Sequence, residues 1–161
     1  MPNWCFNYAK FSHEDKAEMD KLREAIKNNE VLDTFIPTPE DLLKNGDWAT
    51  GWLGWRMNNW GSKWDWCDID IISDHGDTIT LQFNTAWSPT LRAYDWFNDN
   101  GWWVDAYYSE GGMGFCGHYA QGEDDYYEID EYSKEWMDAN IPQDIVDACD
   151  LYGFIYDEED E

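Results

Sequence analysis

Residues 60–89, WGSKWDWCDIDIISDHGDTITLQFNTAWSP, constrain the fold more than any other stretch. From Thr78 the residues alternate: Ile79, Leu81, Phe83, Thr85 and Trp87 point one way, and Thr78, Thr80, Gln82 and Asn84 the other. A period of two means a strand with one face in a core and one toward solvent. Upstream, Cys67, Ile69 and Ile71 alternate with Trp66, Asp68 and Asp70, and Ser73 to Asp77 carries the Gly and Asp chemistry of a hairpin turn. The pattern predicts that residues 65–72 and 78–87 pair as an antiparallel hairpin in the middle of a sheet.

The other segments arrange themselves around that hairpin. Pro2 to Phe11 reads as a first strand with Trp4, Phe6 and Tyr8 on one face. Ser12 can cap a following helix, with Glu14 and Asp15 at its positive end and Met19, Leu22, Ala25 and Ile26 as its apolar stripe. Val31 to Pro39 reads as an extended linker, and Thr38 and Pro39 open a short helix, Glu40 to Lys44. Trp48, Trp52 and Trp55 then recur at helical spacing, interrupted by Gly51 and Gly54. Such a tryptophan face is a ligand platform, a protein-binding ridge or, more often, a lid buried on the core.

Ser88-Pro89 opens a second helix carrying Leu91, Tyr94 and Phe97, which Asn100-Gly101 ends. Strands follow at Trp102 to Tyr108, Met113 to Ala120 and near Tyr126 to Asp130. Pro142 starts a terminal helix with Ile145, Val146, Cys149 and Tyr152 on one side. The order predicts an α+β domain, a ferredoxin-like antiparallel sheet with helices packed on one face. A Trp-rich helical insertion at 37–62 and a C-terminal helix are added to it. One domain spans 1–156, with an acidic extension from 123 and an acidic tail at 157–161.

Charge is unevenly distributed. The net charge is −25, yet residues 1–63 carry 10 acids against 8 bases, whereas residues 64–161 carry 25 acids against only Arg92 and Lys134. Such asymmetry favours a specific negative surface over a generally acidic chain. Twelve Trp, 10 Tyr and 7 Phe are too many aromatics for a disordered acidic polypeptide. No basic segment followed by an apolar run opens the chain, and no stretch approaches a membrane span. A soluble protein is expected. The scattered Cys5, Cys67, Cys116 and Cys149 read as buried free thiols.

Four motifs in order carry a family resemblance: PNWC at 2–5, WGSKWD at 60–65, FNTAWSP at 83–89 and GGMGFCGHYAQG at 111–122. Together they resemble the YubB-type proteins of phages and conjugative plasmids. The resemblance implies a ferredoxin-like fold, an origin on a mobile element and residence in the host cytoplasm. It implies no activity.

Chemistry is sparse. Cys116 and His118 share a strand face, so a zinc site completed by Cys67 is conceivable. Asp68 and Asp70 could hold a divalent cation, but the basic path that a phosphodiester substrate needs is missing. No catalytic residue, metal ligand or cofactor is assigned. Direct nucleic-acid binding is disfavoured, because two bases after Lys63 cannot neutralise phosphates.

Two functions remain open. In one, a DNA-mimicking surface made of Asp124, Asp125, Glu128, Asp130, Glu131, Glu135 and Asp138 inhibits a host protein by occupying its basic nucleic-acid-binding groove. In the other, a Trp-lined crevice between Trp48 and Trp66 binds a small molecule or acts on one.

Overall fold

Trp4–Ser12 (β1) is a central strand of a six-stranded antiparallel sheet and pairs along its whole length with Thr78–Ala86 (β3). The computed structural model describes residues 3–155, so the acidic tail at 157–161 lies outside the described residues. Cys67–Asp74 (β2) pairs with β3, Trp103–Glu110 (β4) pairs with β1, and Phe115–Ala120 (β5) and Glu123–Glu128 (β6) follow outward. The strand order is β2-β3-β1-β4-β5-β6. The expected hairpin of 65–72 with 78–87 is present as β2 with β3, but it forms one edge of the sheet rather than its middle, because β1 inserts between β3 and β4.

Pairing and burial assign the faces. Cys5, Asn7, Ala9 and Phe11 sit opposite Thr85, Phe83, Leu81 and Ile79, and all eight side chains are buried. Over this face lie Lys16–Lys27 (α1), Val31–Phe35 (α2) and Leu91–Asp99 (α4). Their core includes Met19, Leu22, Leu32, Phe35, Tyr94 and Phe97. Trp66 is its densest point, with its ring stacked on Phe83 at 4.1 Å and its Nε1 donating to Thr90 Oγ1 at 2.9 Å. Such a stacked pair is worth about 0.5–1.5 kcal/mol beyond the area it buries. Buried Asn7 ties the layers together: its Nδ2 donates to Thr85 Oγ1 and its Oδ1 accepts from Tyr94 Oη.

The expectation of helices on one face is corrected by the C-terminal region. Lys134–Asn140 (α5) and Gln143–Cys149 (α6) pack on the opposite face, where Cys116, Met137, Ile141, Ile145, Val146, Cys149 and Leu151 form a second core. Helix α6 reaches β4, β1 and β5, so the outward face of β3 and β2 stays uncovered by it. The terminal helix expected after Pro142 is present with Ile145, Val146 and Cys149 buried, but it ends at a left-handed Asp150, so Tyr152 belongs to a separate 3-10 turn, Leu151–Phe154. The helix α5 was missed, although Ser133 caps it by accepting from Trp136 N.

Four further differences have local causes. Val31–Phe35 is helical rather than extended because Asp65, distant in sequence, accepts from Leu32 N at 2.9 Å and Asp33 N at 3.0 Å and so caps α2. Helix α1 is capped by Asp15, which accepts from Ala17 N, while Ser12 ends β1. In β2 the alternation breaks at two register shifts. Cys67 and Asp70, three residues apart, therefore face the same side opposite Asn84 and Gln82. Trp87 leaves the strand at φ 70° and is exposed, so it does not extend the buried row of β3.

Candidate functional site

The acidic residues singled out by the sequence fall on one continuous stretch of framework. Asp124, Asp125 and Glu128 lie on β6, the outermost strand, which starts earlier than expected. Gln121 (φ 52°) and Gly122 (φ 92°) make a tight turn after β5 and place Glu123 already in the ladder. Asp130 and Glu131 lie in the connection that follows, and Glu135 and Asp138 on α5. All are exposed. The connection is held in place by Ile129, whose N donates to Gly114 O at 2.7 Å, and by Tyr132, whose Oη donates to Gly111 O at 2.5 Å.

These carboxylates are not equivalent. Asp124 and Glu128 project from the face shared with Tyr119 and Phe115, while Asp125 projects from the other face, beside His118. Asp124 accepts from Tyr108 Oη at 2.7 Å, and partial burial lifts its carboxyl above the usual range. Burial, reinforced by that carboxylate, also holds the Tyr108 phenol well above its ordinary value. This contact needs Gly117, since a Cβ there would lie 2.2 Å from Tyr108 Oη. Asp138 accepts from Lys134 Nζ at 2.7 Å and from Tyr152 Oη. Asp125, Glu128, Asp130 and Glu135 therefore carry the open part of the surface, together with Glu131, which accepts from Ser133 Oγ at 3.3 Å through one oxygen.

A second polar cluster lies where α6 meets the sheet. Tyr107 and His118 stack at 4.0 Å with planes 2° apart. His118 Nε2 bonds Asp105 Oδ1 at 2.7 Å, its Nδ1 lies 3.9 Å from Asp144 Oδ2, and Tyr107 Oη donates to Asp144 Oδ2 at 3.1 Å. Sequence reading missed this cluster because it depends on where α6 docks.

The other candidates dissolve in the geometry. Cys67 on β2 is four strand spacings from Cys116 on β5, about 19 Å across the sheet, so the two cannot share a metal ion. Cys116 and Cys149 are buried thiols, pushed up to about 11 and about 12 by burial, and have no thiolate to offer at neutral pH. Cys67 is only half-buried, against expectation, and its thiol is also raised by burial. Asp68 sits at the first shift of β2 (φ 52°) and accepts from Asn84 Nδ2, so it does not pair with Asp70 as on a regular strand. Among the described residues no cluster of His, Cys, Asp or Glu is arranged to hold a metal ion.

The tryptophan crevice is likewise closed. Trp48 is 62% exposed and precedes the helix Trp52–Asn59 (α3), so it does not share a helical face with Trp52 and Trp55. The chain around Asn45 to Trp48 folds back so tightly that a Cβ at Gly51 or Gly54 would lie 2.0 Å from a backbone oxygen. Trp60 and Trp66 are core residues, and Trp60 Nε1 donates to Ile36 O at 2.8 Å. Arg56, lowered in pKa by burial, lies over the Trp52 and Trp60 rings and donates to Thr38 and to Lys63 O. The tryptophans act as a lid.

Fold and surface together define an α+β protein with a closed helical layer and an acidic rim. No family model, no curated protein and no solved structure matches the chain. Among the described residues no helix is long and apolar enough to cross a membrane.

Proposed function

We propose that the chain is a mobile-element accessory protein of YubB type that inhibits a host nucleic-acid-processing or defence protein through the acidic rim of β6 and α5. One observation carries the reading. Asp125, Glu128, Asp130, Glu131 and Glu135 are exposed on elements anchored by the buried residues Ile129, Met137 and Ile141. Charges on a fixed backbone of this kind steer a basic partner, and no segment of chain has to be ordered for docking. Successive acids on a strand alternate between its faces, so β6 presents Asp124 and Glu128 on one side and Asp125 on the other, and both sides of this edge carry negative charge.

A ferredoxin-like ancestry for the first four strands belongs to the same proposal. Its support is the spatial order β2-β3-β1-β4, with helices between β1 and β2 and between β3 and β4. In this reading β5, β6, α5 and α6 are the addition that carries the rim.

The test is capture from nuclease-treated host lysate with wild type and with the combined variant Asp125→Lys, Glu128→Lys, Glu131→Lys and Glu135→Lys. A true partner is lost with the variant, is displaced by duplex DNA, and is released as salt rises past the point where exposed charges are screened beyond about 8 Å. Partners held equally by the variant would overturn the proposal. Wild-type protein is also expected to leave duplex DNA unshifted in a gel, whereas tight, salt-sensitive binding there would defeat it.

A further inference from the structure

Between the sheet and α6 lies an open groove of about 910 Å³ that the acidic rim does not include. Tyr8, Tyr107 and Ser109 are among the side chains on its sheet side, and Asp147, Asp150 and Phe154 among those facing them. Two kinds of group there have bonding capacity to spare. Ser109 Oγ is buried, with the residue 1% exposed, and no nitrogen or oxygen among the described residues bonds it. A hydroxyl in that position costs free energy unless something bonds it. The neighbouring Cys149 thiol, pushed up by burial against the opposing pull of that hydroxyl, is its one neighbour of bonding type among the described residues, and a thiol is a weak partner.

The carboxylates are the second kind. Asp144 is committed to Tyr107 Oη. Asp147 accepts from Gln143 Nε2 at 2.8 Å through Oδ1, which leaves Oδ2 open. The Asp150 side chain makes no hydrogen bond among the described residues, and its backbone is held left-handed at φ 49°.

We infer that this groove receives an arginine side chain presented by the basic partner. The inference rests on the proposed function for the source of the arginine and on the groove alone for its chemistry. A guanidinium carries its donors in a flat fork, so one edge can meet Asp147 and Asp150 while a remaining N–H meets the Ser109 hydroxyl. Its flat faces stack on the tyrosines and Phe154. A lysine ammonium is compact, strongly hydrated and has no face to stack.

The test is a nitrogen-15 NMR titration of the full chain with arginine amide, and in parallel with citrulline amide, its neutral counterpart. Arginine amide is expected to shift the signals of Tyr107, Ser109, Asp147 and Gly153 saturably, and citrulline amide to leave them in place. The pair Asp147→Asn and Asp150→Asn preserves shape, since asparagine tolerates the left-handed region, and should weaken binding at least ~10-fold. Ser109→Ala should weaken it by ~3-fold or more. Equal shifts with citrulline amide, shifts confined to β6 and α5, or undiminished binding by the double variant would overturn the inference. The two readings fail separately. Arginine amide in the groove, with partner capture indifferent to reversal of the rim, defeats the proposed function alone. Rim-dependent capture with a silent groove defeats the arginine site alone.

Discussion

On one face of the sheet, Trp66 stacks on Phe83, Trp60 and Trp66 both donate their indole N–H, and Asn7 satisfies Tyr94 and Thr85 at once. On the other, α6 covers part of the strands, carboxylates line the gap, and Ser109 is buried with only a thiol beside its hydroxyl. The two layers use the same sheet differently. The first is dry, aromatic and satisfied in its polar groups, as a core that sets stability must be. The second is smaller, acidic and incomplete, which costs stability and leaves surface to use.

The sharpest way to break that contrast is to compare truncations in the two layers. Phe83→Ala removes the partner of the Trp66 stack from a fully packed site and should cost about 3–5 kcal/mol in urea unfolding. Ile145→Val in the second core should cost about 0.5–1.5 kcal/mol. A smaller loss at Phe83 than at Ile145 would mean that the first layer does not carry the fold.

A second comparison concerns the cap that joins elements distant in sequence. Asp65 accepts from Leu32 N, Asp33 N and Trp66 N, and burial raises its pKa despite them. Asp65→Ala should cost about 1–2 kcal/mol, the usual loss for a helix cap, with protection of the α2 amides lost first in hydrogen exchange. Unchanged α2 protection would show that its packing through Val31, Leu32 and Phe35 suffices without a cap.

What was legible in the sequence follows the same division. The first layer was readable because its signals are local: the period of two in β3, the stripe of Met19, Leu22 and Ile26, and the Leu91, Tyr94, Phe97 spacing all survive in the structure. The register of β2 was not, because two irregularities in one short strand erase alternation without leaving a Gly or Pro as a sign. Helix α2 was hidden because its cap comes from Asp65. Helix α5 was hidden among acids, although Ser133 with Trp136 three residues on is a recognisable start. The acidic residues are exposed, but their division between two faces of β6, and the engagement of Asp124 by Tyr108, required the register of β5. The groove was invisible, since it exists only where a terminal helix meets strands from the other end of the chain.

A smaller, pH-dependent effect is expected at the β2–β3 turn, which Arg23 of α1 fastens by donating to Asp74 and to Gly76 O. The hydrogen bonds and charge of Arg23 hold the Asp74 carboxyl down at about 2 against an ordinary 3.8. A carboxylate whose folded pKa is depressed contributes stability above its unfolded pKa and loses it as pH falls through the folded one. Melting temperatures of wild type and Arg23→Gln should therefore differ above pH about 4 and converge as pH approaches about 2. A gap independent of pH would assign the effect to the packing of the arginine stem instead of its charge.

The smallest effect has the opposite sign. Ser109→Ala removes a buried hydroxyl whose one partner among the described residues is the weakly bonding Cys149 thiol, so the folded state should lose a desolvation penalty and gain roughly half a kcal/mol in urea unfolding. The same change at a satisfied site of the first layer, such as Thr85→Ala, deprives Asn7 of an acceptor and should destabilise. The two substitutions thus separate a layer built for stability from one that gives some up. If Ser109→Ala were as destabilising as Thr85→Ala, the hydroxyl would already have a strong partner in the folded protein. The groove would then lose the buried acceptor that distinguishes it from an ordinary acidic surface.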